Sequence, residues 1–356
     1  MNVRLVHQLP PGEDNPRNSE GAFLRGKQGE LLFAYSKYHG TSRHDHGDCD
    51  IALIVSYDEG ETWTDPRLIA RASEFGVENI MSVSAMEQRN GDLAFYFLIK
   101  ENNMAVTLGR TVSRDGMQFR SERCDCRFPE RYYVVNNDRL VRLSGGRIVA
   151  PAAYNTLEQV HADGCFAYVT TMLYSDDDGK TFYKADQELH TVPDRLNRLT
   201  GYQEPGIIEL SDGSIYCWIR TRYGYQYECT SPDGDLNRFT QPSASFFSSP
   251  TSPMQIKKYD GVLYSIYNPI PKYNGRPEHP GVWGRTPIVI RKSLDEGESF
   301  GVLNTVEDDP TRGYSYPAMF RTKDGCLLLA YCRGDANDGD NLCRIGITKV
   351  EISSIE

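Results

Sequence analysis

The sequence of 356 residues has no unbroken apolar run of the length that a transmembrane helix needs. Residues 1–8 contain one arginine and no apolar core segment, and so do not resemble a signal peptide. The nine cysteines are odd in number, and their spacing shows no disulfide framework, so we expect free thiols in a reducing compartment. These absences predict a cytoplasmic protein that does not act at a membrane.

The sequence also has little helical character, because alternation with a period of two dominates and glycine, proline and aspartate interrupt it repeatedly. The formal net charge of −10 argues against a polyanionic partner such as nucleic acid. An anionic ligand of this protein needs arginines in its own binding site. We therefore expect an all-β protein with no nucleic-acid partner.

One strand pattern, a turn glycine followed by apolar residues, recurs six times along the chain. The six glycines are Gly29, Gly91, Gly146, Gly213, Gly261 and Gly325. Units of roughly 60 residues suit four short strands with long loops, and six such units account for the whole chain. The last unit is short, and a strand near residues 3–6 is predicted to complete it and close the ring. The pattern predicts a single domain over 1–356, a six-bladed β-propeller.

A second motif, Ser-x-Asp-x-Gly-x-x-aromatic, runs in phase with the strand repeat. Full copies begin at Ser56, Ser175 and Ser293, and weaker copies begin at Ser113 and Ser231. In each copy the aspartate accepts backbone N–H bonds across a turn, the glycine takes the left-handed conformation, and the aromatic ring packs beneath. These Asp-box hairpins are predicted to hold the blades together, so their aspartates are poor candidates for catalysis.

Asp boxes in phase with six blades resemble the sialidase superfamily, and the resemblance covers nearly the whole chain. It implies a retaining exo-glycosidase that removes a terminal sialic acid or a related acidic sugar from a glycan, without a cofactor or metal ion. In that family a tyrosine attacks, a glutamate activates it, an aspartate is the acid and base, and three arginines bind the substrate carboxylate. A neutral phenol suits this substrate, because a carboxylate at the anomeric carbon repels an anionic nucleophile.

The motifs that carry the resemblance assign roles to individual residues. Asp45, in Arg-His-Asp-His-Gly-Asp, lies eleven residues before the first Asp box and matches the acid/base loop. Glu204, in Gln-Glu-Pro-Gly, matches the activating base, and Tyr314, in Gly-Tyr-Ser-Tyr-Pro, matches the nucleophile. Arg220 and Arg285 match two of the arginines that hold the carboxylate.

The sequence departs from the family where the first arginine of the triad is expected, because Ser19, Glu20 and Gly21 occupy that segment. Glu20 at that place repels a substrate carboxylate, and the nearby residues that would compensate are Arg25 and Arg43. This departure keeps a second hypothesis open, a glycosidase that acts on a neutral or uronic sugar. A third hypothesis is a carbohydrate-binding propeller that has lost turnover.

Two further clusters admit more than one interpretation. Asn137 and Arg139 follow Asn136 at a strand start, where they either line the same axial pocket and bind substrate or form a turn. His44, His46 and the aspartates between and after them resemble a metal site in composition. Neighbouring residues of a strand point to opposite sides, however, so we expect no metal ion there.

Overall fold

The structure, a computed structural model, describes four stretches of the chain: 1–160, 166–191, 201–270 and 279–356. These residues form six sheets around a common axis, which confirms the all-β six-bladed propeller. The described part also contains two short 3-10 helices, Ala72–Phe75 and Ile352–Ser354. No helix in it has the length and hydropathy that a membrane span requires.

The first three blades follow the N-terminal strand β1 (Val3–Leu9) along the chain. Blade 1 consists of β2 (Asn18–Arg25), β3 (Leu31–Tyr38), β4 (Cys49–Ser56) and β5 (Arg67–Ala70). Blade 2 consists of β6 (Ile80–Glu87), β7 (Leu93–Lys100), β8 (Val106–Ser113) and β9 (Arg120–Arg123). Blade 3 consists of β10 (Asp125–Arg127), β11 (Tyr133–Val134), β12 (Val141–Arg142), β13 (Ile148–Val160), β14 (Phe166–Ser175) and β15 (Thr181–Lys184).

The remaining three blades have four strands each. Blade 4 consists of β16 (Gln203–Glu209), β17 (Ile215–Arg220), β18 (Tyr225–Ser231) and β19 (Ser243–Ser248). Blade 5 consists of β20 (Gln255–Tyr259), β21 (Val262–Tyr267), β22 (Ile288–Ser293) and β23 (Asn304–Glu307). Blade 6 consists of β24 (Ser315–Arg321), β25 (Cys326–Cys332), β26 (Ile345–Glu351) and β1.

The ring is closed by strands from the two ends of the sequence. β1 pairs antiparallel with β26, with Leu5 opposite Thr348 and Leu9 opposite Ile345. β1 is therefore the outer strand of blade 6, as the short last repeat predicted. The six repeat glycines each precede the second strand of a blade or its equivalent, β13, in blade 3, and these strands are largely buried.

The Asp boxes cap hairpins at the outer edges of the blades, as predicted. In the box of blade 3, the Ser175 hydroxyl donates to Asp177 Oδ1 at 2.8 Å and accepts the Gly179 N–H at 2.9 Å. The same aspartate oxygen accepts the Thr181 N–H at 2.8 Å, and the Phe182 ring is fully buried beneath the turn. These contacts satisfy the polar groups of the turn, which is a structural function.

The innermost strands of four blades share a backbone irregularity that positions side chains at the axis. Glu20 in β2, Ser82 in β6, Glu204 in β16 and Tyr316 in β24 have φ values of 57°, 61°, 42° and 54°. In each strand the pairing register shifts around this residue. A left-handed backbone costs about 1–3 kcal/mol at a residue other than glycine and is concentrated at functional sites. The four residues therefore mark where the strands depart from regular alternation.

Candidate active site

The four left-handed residues converge on one pocket. Glu20, Ser82, Glu204 and Tyr316 all line a cavity of about 540 Å³, together with Asp45 from the loop between β3 and β4. Their strands belong to blades 1, 2, 4 and 6, so the cavity lies on the propeller axis. The other side chains that complete its wall include His44, His46, Met81, Leu98, Lys100, Tyr132, Asn136, Asn155 and Tyr168. A larger groove of about 760 Å³ contains none of the predicted site residues.

Tyr316 and Glu204 form a hydrogen-bonded pair in this pocket. The Tyr316 hydroxyl donates to Glu204 Oε1 at 3.2 Å, and Arg220 Nη1 lies 2.6 Å from Glu204 Oε2 and 3.4 Å from the Tyr316 hydroxyl. The Arg285 guanidinium lies 5.7 Å from the centre of the Tyr316 ring. Burial and the Glu204 charge raise the pKa of Tyr316, while the two arginines oppose the shift. The phenol is therefore neutral at pH 7 and has a carboxylate beside it to accept its proton.

Tyr314, which was expected in the pocket, does not line it, and Tyr316 of the same motif lies there instead. Tyr314 is fully buried, its hydroxyl accepts the Asp309 N–H at 3.2 Å, and its ring packs edge-on against Tyr331 at 6.0 Å. It belongs to the apolar core beside blade 6. The left-handed backbone at Tyr316 breaks the alternation of β24, so two tyrosines that are two residues apart have different surroundings.

Asp45 lies in the pocket with its carboxylate bound by an arginine. Arg17 Nη1 donates to Asp45 Oδ1 at 2.6 Å, and 60% of the Asp45 side chain is exposed. The backbone carbonyl of Asp45 accepts bonds from the Lys100 ammonium and from Asn79 Nδ2. Desolvation acts to raise the pKa of Asp45, but the charges of Arg17 and Lys100 outweigh it and lower the pKa to about 2. Asp45 is therefore ionised in the free protein at neutral pH.

Glu20 and Arg17 form a buried ion pair at the segment where the sequence predicted the absence of the first arginine of the triad. Arg17 Nη2 donates to Glu20 Oε1 at 2.8 Å, and the Ser82 hydroxyl donates to the other carboxylate oxygen. The Arg17 guanidinium also lies 4.6 Å from the centre of the Tyr38 ring. Burial raises the pKa of Glu20, and nearby Asp45 adds to this, while Arg17 and Ser82 oppose the shift. Arg17 thus brings a guanidinium to this segment, but the guanidinium is already paired with the carboxylates of Glu20 and Asp45.

The two arginines expected to hold a substrate carboxylate are at the axis but behind the pocket wall. Arg220 binds Glu204, as described above, and is 9% exposed. Arg285 donates from Nη2 to the backbone carbonyl of Thr251 at 3.1 Å and from Nη1 to Asn341 Oδ1 at 3.3 Å. Both guanidinium groups flank Tyr316, but neither lines the cavity.

Three other predicted substrate-binding residues do not line the pocket. Arg43 lies at the surface with Nε 3.5 Å from Asp340 Oδ2 and faces a separate depression. Asn137 donates to the backbone carbonyls of Gly21 and Tyr316, which ties three blades together. Asn137 was wrongly expected to line the pocket, because polar side chains near the axis are also needed to satisfy backbone groups where the innermost strands meet.

Arg139 is the clearest case of such a structural role. It is 2% exposed, donates to Gln255 Oε1 at 2.7 Å and to the backbone carbonyl of Met254, and lies over the Trp218 ring. It borders a different cavity, of about 340 Å³. Burial lowers the pKa of Arg139 to about 10, and the contacts named here hold the guanidinium between blades 4 and 5.

The motifs of the sequence did not indicate Tyr316, Arg17 or Ser82, and Glu20 was expected only to repel a carboxylate. One spacing is shared by all four left-handed residues that line the pocket. Glu20, Ser82, Glu204 and Tyr316 each lie nine residues before the repeat glycine of their blade. Glu204 was selected for its motif, and the same count from Gly325 reaches Tyr316 instead of Tyr314. Arg17 precedes this repeat, so no spacing indicates it.

His44 and His46 both line the pocket, and the described residues contain no group of three His, Cys, Asp or Glu side chains arranged to hold a metal ion. Burial and the Lys100 charge lower the pKa of His46, with Asp45 opposing the shift. The His46 ring packs at 5.8 Å from the Tyr132 ring. These side chains therefore belong to the pocket wall.

Solved structures of other proteins superimpose on nearly the whole chain. A protein of unknown function from Dyadobacter fermentans is 17% identical and superimposes over 98% of this chain and 99% of its own, with a TM-score of 0.70. The intramolecular trans-sialidase of Ruminococcus gnavus, in complex with oseltamivir carboxylate, is 13% identical over 99% and 98% of the chains, with a TM-score of 0.68. The α-L-arabinanase of Penicillium chrysogenum, in complex with arabinobiose, is 13% identical over 100% and 99%, with a TM-score of 0.62.

At these identities the likeness establishes the fold only. A search of curated proteins finds no match. The repeats themselves are more specific, because residues 29–329 match the family described as the BNR repeat-like domain. This match covers well over half of the sequence and includes five of the six repeat strands and all five Asp boxes. The chain therefore belongs to the BNR repeat-like domain family.

Proposed function

We propose that this protein is a glycoside hydrolase that removes a terminal sugar from a glycan with retention of configuration at the anomeric carbon. The observation that carries the proposal is the contact of the Tyr316 hydroxyl with Glu204 and Arg220, in a pocket that also holds Asp45. A phenol is a weak nucleophile and needs an adjacent base to take its proton. Glu204, with Oε1 3.2 Å from the hydroxyl, is in position to be that base.

In the first step Tyr316 Oη bonds to the anomeric carbon while the bond to the leaving oxygen breaks. Glu204 takes the phenolic proton, and Arg220 stabilises the negative charge that this transfer brings to the pair. In the second step water attacks the same carbon and displaces Tyr316, which regains its proton from Glu204. Two displacements on opposite faces leave the configuration unchanged.

Asp45 is the proposed acid and base for the leaving oxygen and for the attacking water. Because Arg17 and Lys100 keep it ionised in the free protein, substrate has to raise its pKa before it can donate a proton. A bound sugar does this by removing water from the 60% of the side chain that is now exposed. Leaving groups that depart readily without a proton do not need this step.

The fold alone does not identify the sugar, because similar propellers hold different ligands. The Ruminococcus gnavus trans-sialidase structure contains oseltamivir carboxylate, and the Penicillium chrysogenum arabinanase structure contains the neutral disaccharide arabinobiose. The acidic sugar expected from the sequence and a neutral sugar are therefore both compatible with this architecture. The choice between an acidic and a neutral sugar depends on the charged side chains that line the pocket.

The experiment compares Tyr316→Phe with Tyr314→Phe in a panel of aryl glycosides that includes a sialoside. Each variant removes one hydroxyl from a tyrosine of the same strand region, but only Tyr316 lines the pocket. We expect Tyr316→Phe to lose at least about a thousandfold in kcat/KM, the order seen when a nucleophile is removed. Tyr314→Phe should stay within about threefold of the parent protein.

Trapping with fluorinated sugars followed by peptide mass spectrometry identifies the nucleophile directly. The expected product carries the sugar on Tyr316. A sugar attached to Glu204, or full activity of Tyr316→Phe, would contradict the mechanism. Binding of a sugar without release from any glycoside would favour a carbohydrate-binding propeller, an alternative that the ionised state of Asp45 in the free protein makes worth testing.

A further inference from the structure

The charged side chains that line the axial pocket are mainly carboxylates. Glu20, Asp45 and Glu204 are on its wall, and Lys100 is the single lysine or arginine among the described lining residues. The Lys100 ammonium is itself engaged, because it donates to the backbone carbonyl of Asp45 and lies 5.9 Å from the centre of the Tyr132 ring. A ligand carboxylate that enters the pocket therefore meets like charges.

The arginines near the pocket do not offset this, because each guanidinium already has partners. Arg17 binds two of the pocket carboxylates, and Arg220 binds the third. Arg285 donates to the backbone carbonyl of Thr251 and to the side chain of Asn341. A substrate carboxylate would have to compete with these buried contacts in order to reach a guanidinium. The site is thus poorly built to hold a carboxylate with arginines.

Glu20 is suited to bind a hydrogen-bond donor and not a carboxylate. Its carboxylate is 4% exposed and fixed by Arg17 on one oxygen and by Ser82 on the other. An ionised carboxylate has about four lone-pair sites, so these two bonds leave acceptor capacity on a side chain that lines the cavity. Its left-handed backbone holds the side chain at the axis. A group that binds here has to donate a hydrogen bond, which a hydroxyl does and a carboxylate does not.

A second lining side chain carries an unused donor. Asn136 is 2% exposed, and its Nδ2 has no hydrogen-bond partner among the described residues. Its Oδ1 accepts the Asn137 N–H at 2.7 Å, which orients the amide. A buried donor without a partner is costly and indicates a missing acceptor. A hydroxyl can both accept and donate a hydrogen bond, so it suits the unused donor of Asn136 and the carboxylate acceptor of Glu20.

We infer that the terminal sugar taken by this pocket is neutral and places a hydroxyl, and no carboxylate, against Glu20. The inference rests on the proposed glycosidase function and specifies its substrate class. Glu20 is then the residue that determines specificity, since it binds the hydroxyl and repels a sugar with a carboxylate at that point. Arg17 supports it by opposing the rise that burial causes in the pKa of the Glu20 carboxyl.

The test compares kcat/KM for neutral aryl glycosides, including pentosides and hexosides, with kcat/KM for an aryl sialoside. The parent protein should prefer its best neutral substrate by at least about a hundredfold. Glu20→Gln keeps the size of the side chain and removes the charge, so it should lower kcat/KM for that substrate by about ten- to a hundredfold. The same variant should narrow the ratio between the neutral glycoside and the sialoside, and Tyr314→Phe, whose side chain lies outside the pocket, should leave the ratio unchanged.

The outcomes separate this inference from the proposed function. A preference for the sialoside that Tyr316→Phe abolishes would overturn the neutral-sugar inference and leave the glycosidase mechanism intact. No release from any glycoside by the parent protein would count against the mechanism itself. A ratio that Glu20→Gln does not change would show that Glu20 does not determine specificity.

Ligand binding to the parent protein provides a measurement that needs no variant. Calorimetric titration with free neutral monosaccharides and with N-acetylneuraminate compares the two classes directly. We expect at least one neutral sugar to bind at least about tenfold more tightly than N-acetylneuraminate. Tighter binding of N-acetylneuraminate would refute the inference even if Glu20→Gln failed to fold.

Discussion

Replacing Arg17 with methionine removes the cation that two carboxylates of the pocket share. Arg17 is 1% exposed and Glu20 is 4% exposed, so in Arg17→Met the Glu20 carboxylate stays buried with the Ser82 hydroxyl as its remaining partner. Methionine has a similar length and no charge, so the change leaves little empty volume. The variant therefore isolates the electrostatic role of the guanidinium.

The size of the effect follows from the burial of this pair. Removing one partner of a buried ion pair costs about 3–5 kcal/mol, because the other charge is left uncompensated. Unfolding entropy of about 2.1 cal/mol/K per residue gives about 0.75 kcal/mol/K for a chain of 356 residues. Arg17→Met should therefore lower Tm by about 4–7 °C at pH 8.

The pH dependence has a definite sign. Burial already raises the pKa of Glu20 in the folded protein, and removal of Arg17 raises it further. A group whose pKa is higher in the folded state contributes stability at low pH and loses it as pH rises through the folded pKa. The destabilisation by Arg17→Met should accordingly be smaller at pH 5 than at pH 8. In the parent protein Asp45, with a pKa of about 2, titrates below this pH range.

Urea unfolding of the parent protein, Arg17→Met and Arg17→Met/Glu20→Gln at both pH values provides the assay. The double variant removes both charges and should recover at least half of the lost stability, since replacing both partners is far less costly than orphaning one. A loss below about 1 kcal/mol at pH 8 would refute the reasoning. Equal losses at pH 5 and pH 8, or a double variant as unstable as the single one, would do the same.

Two further predictions concern the acid and an Asp box. Asp45→Asn should slow release of a poor alkyl or sugar leaving group by about 10²–10⁴-fold. The rate for aryl glycosides with a good leaving group should change by less than about tenfold. Equal losses of rate for both kinds of substrate in steady-state assays would exclude Asp45 as the acid. Ser175→Ala removes two hydrogen bonds of a buried hydroxyl and should cost about 1–3 kcal/mol in urea unfolding. Its kcat/KM should equal that of the parent protein, and a change there would contradict the purely structural role.

The fold could be predicted because its signals are local in the sequence. A turn glycine and an Asp box are each complete within eight residues, and both recur in phase with the blades. The contacts at Ser175 and Asp177 are made inside one hairpin, so the same residues that form the motif also satisfy it. Each copy of these motifs is weak evidence for the fold by itself, but the repeated copies together predict the propeller.

The site could be predicted only in part, because its geometry depends on contacts between blades. Glu204 and Asp45 line the pocket, but the exact residue at the axis in β24 depends on a left-handed backbone that apolar alternation does not reveal. Tyr314 and Tyr316 both fit the motif, and only the register relative to Gly325 separates them. Arg17 precedes every repeat and binds Glu20 and Asp45 of blade 1, so no repeated pattern indicates its partners.

The pairing of β1 with β26 has a consequence for the order in which the molecule comes apart. Leu5 and Thr348 are paired across about 340 residues, and closing so long a loop costs about 4 kcal/mol more entropy than closing a four-residue hairpin. All other neighbouring strands of blade 6 are joined by much shorter connections. We therefore expect the N-terminal strand to dock last and to detach first, so that the propeller opens at this seam while its other blades stay assembled.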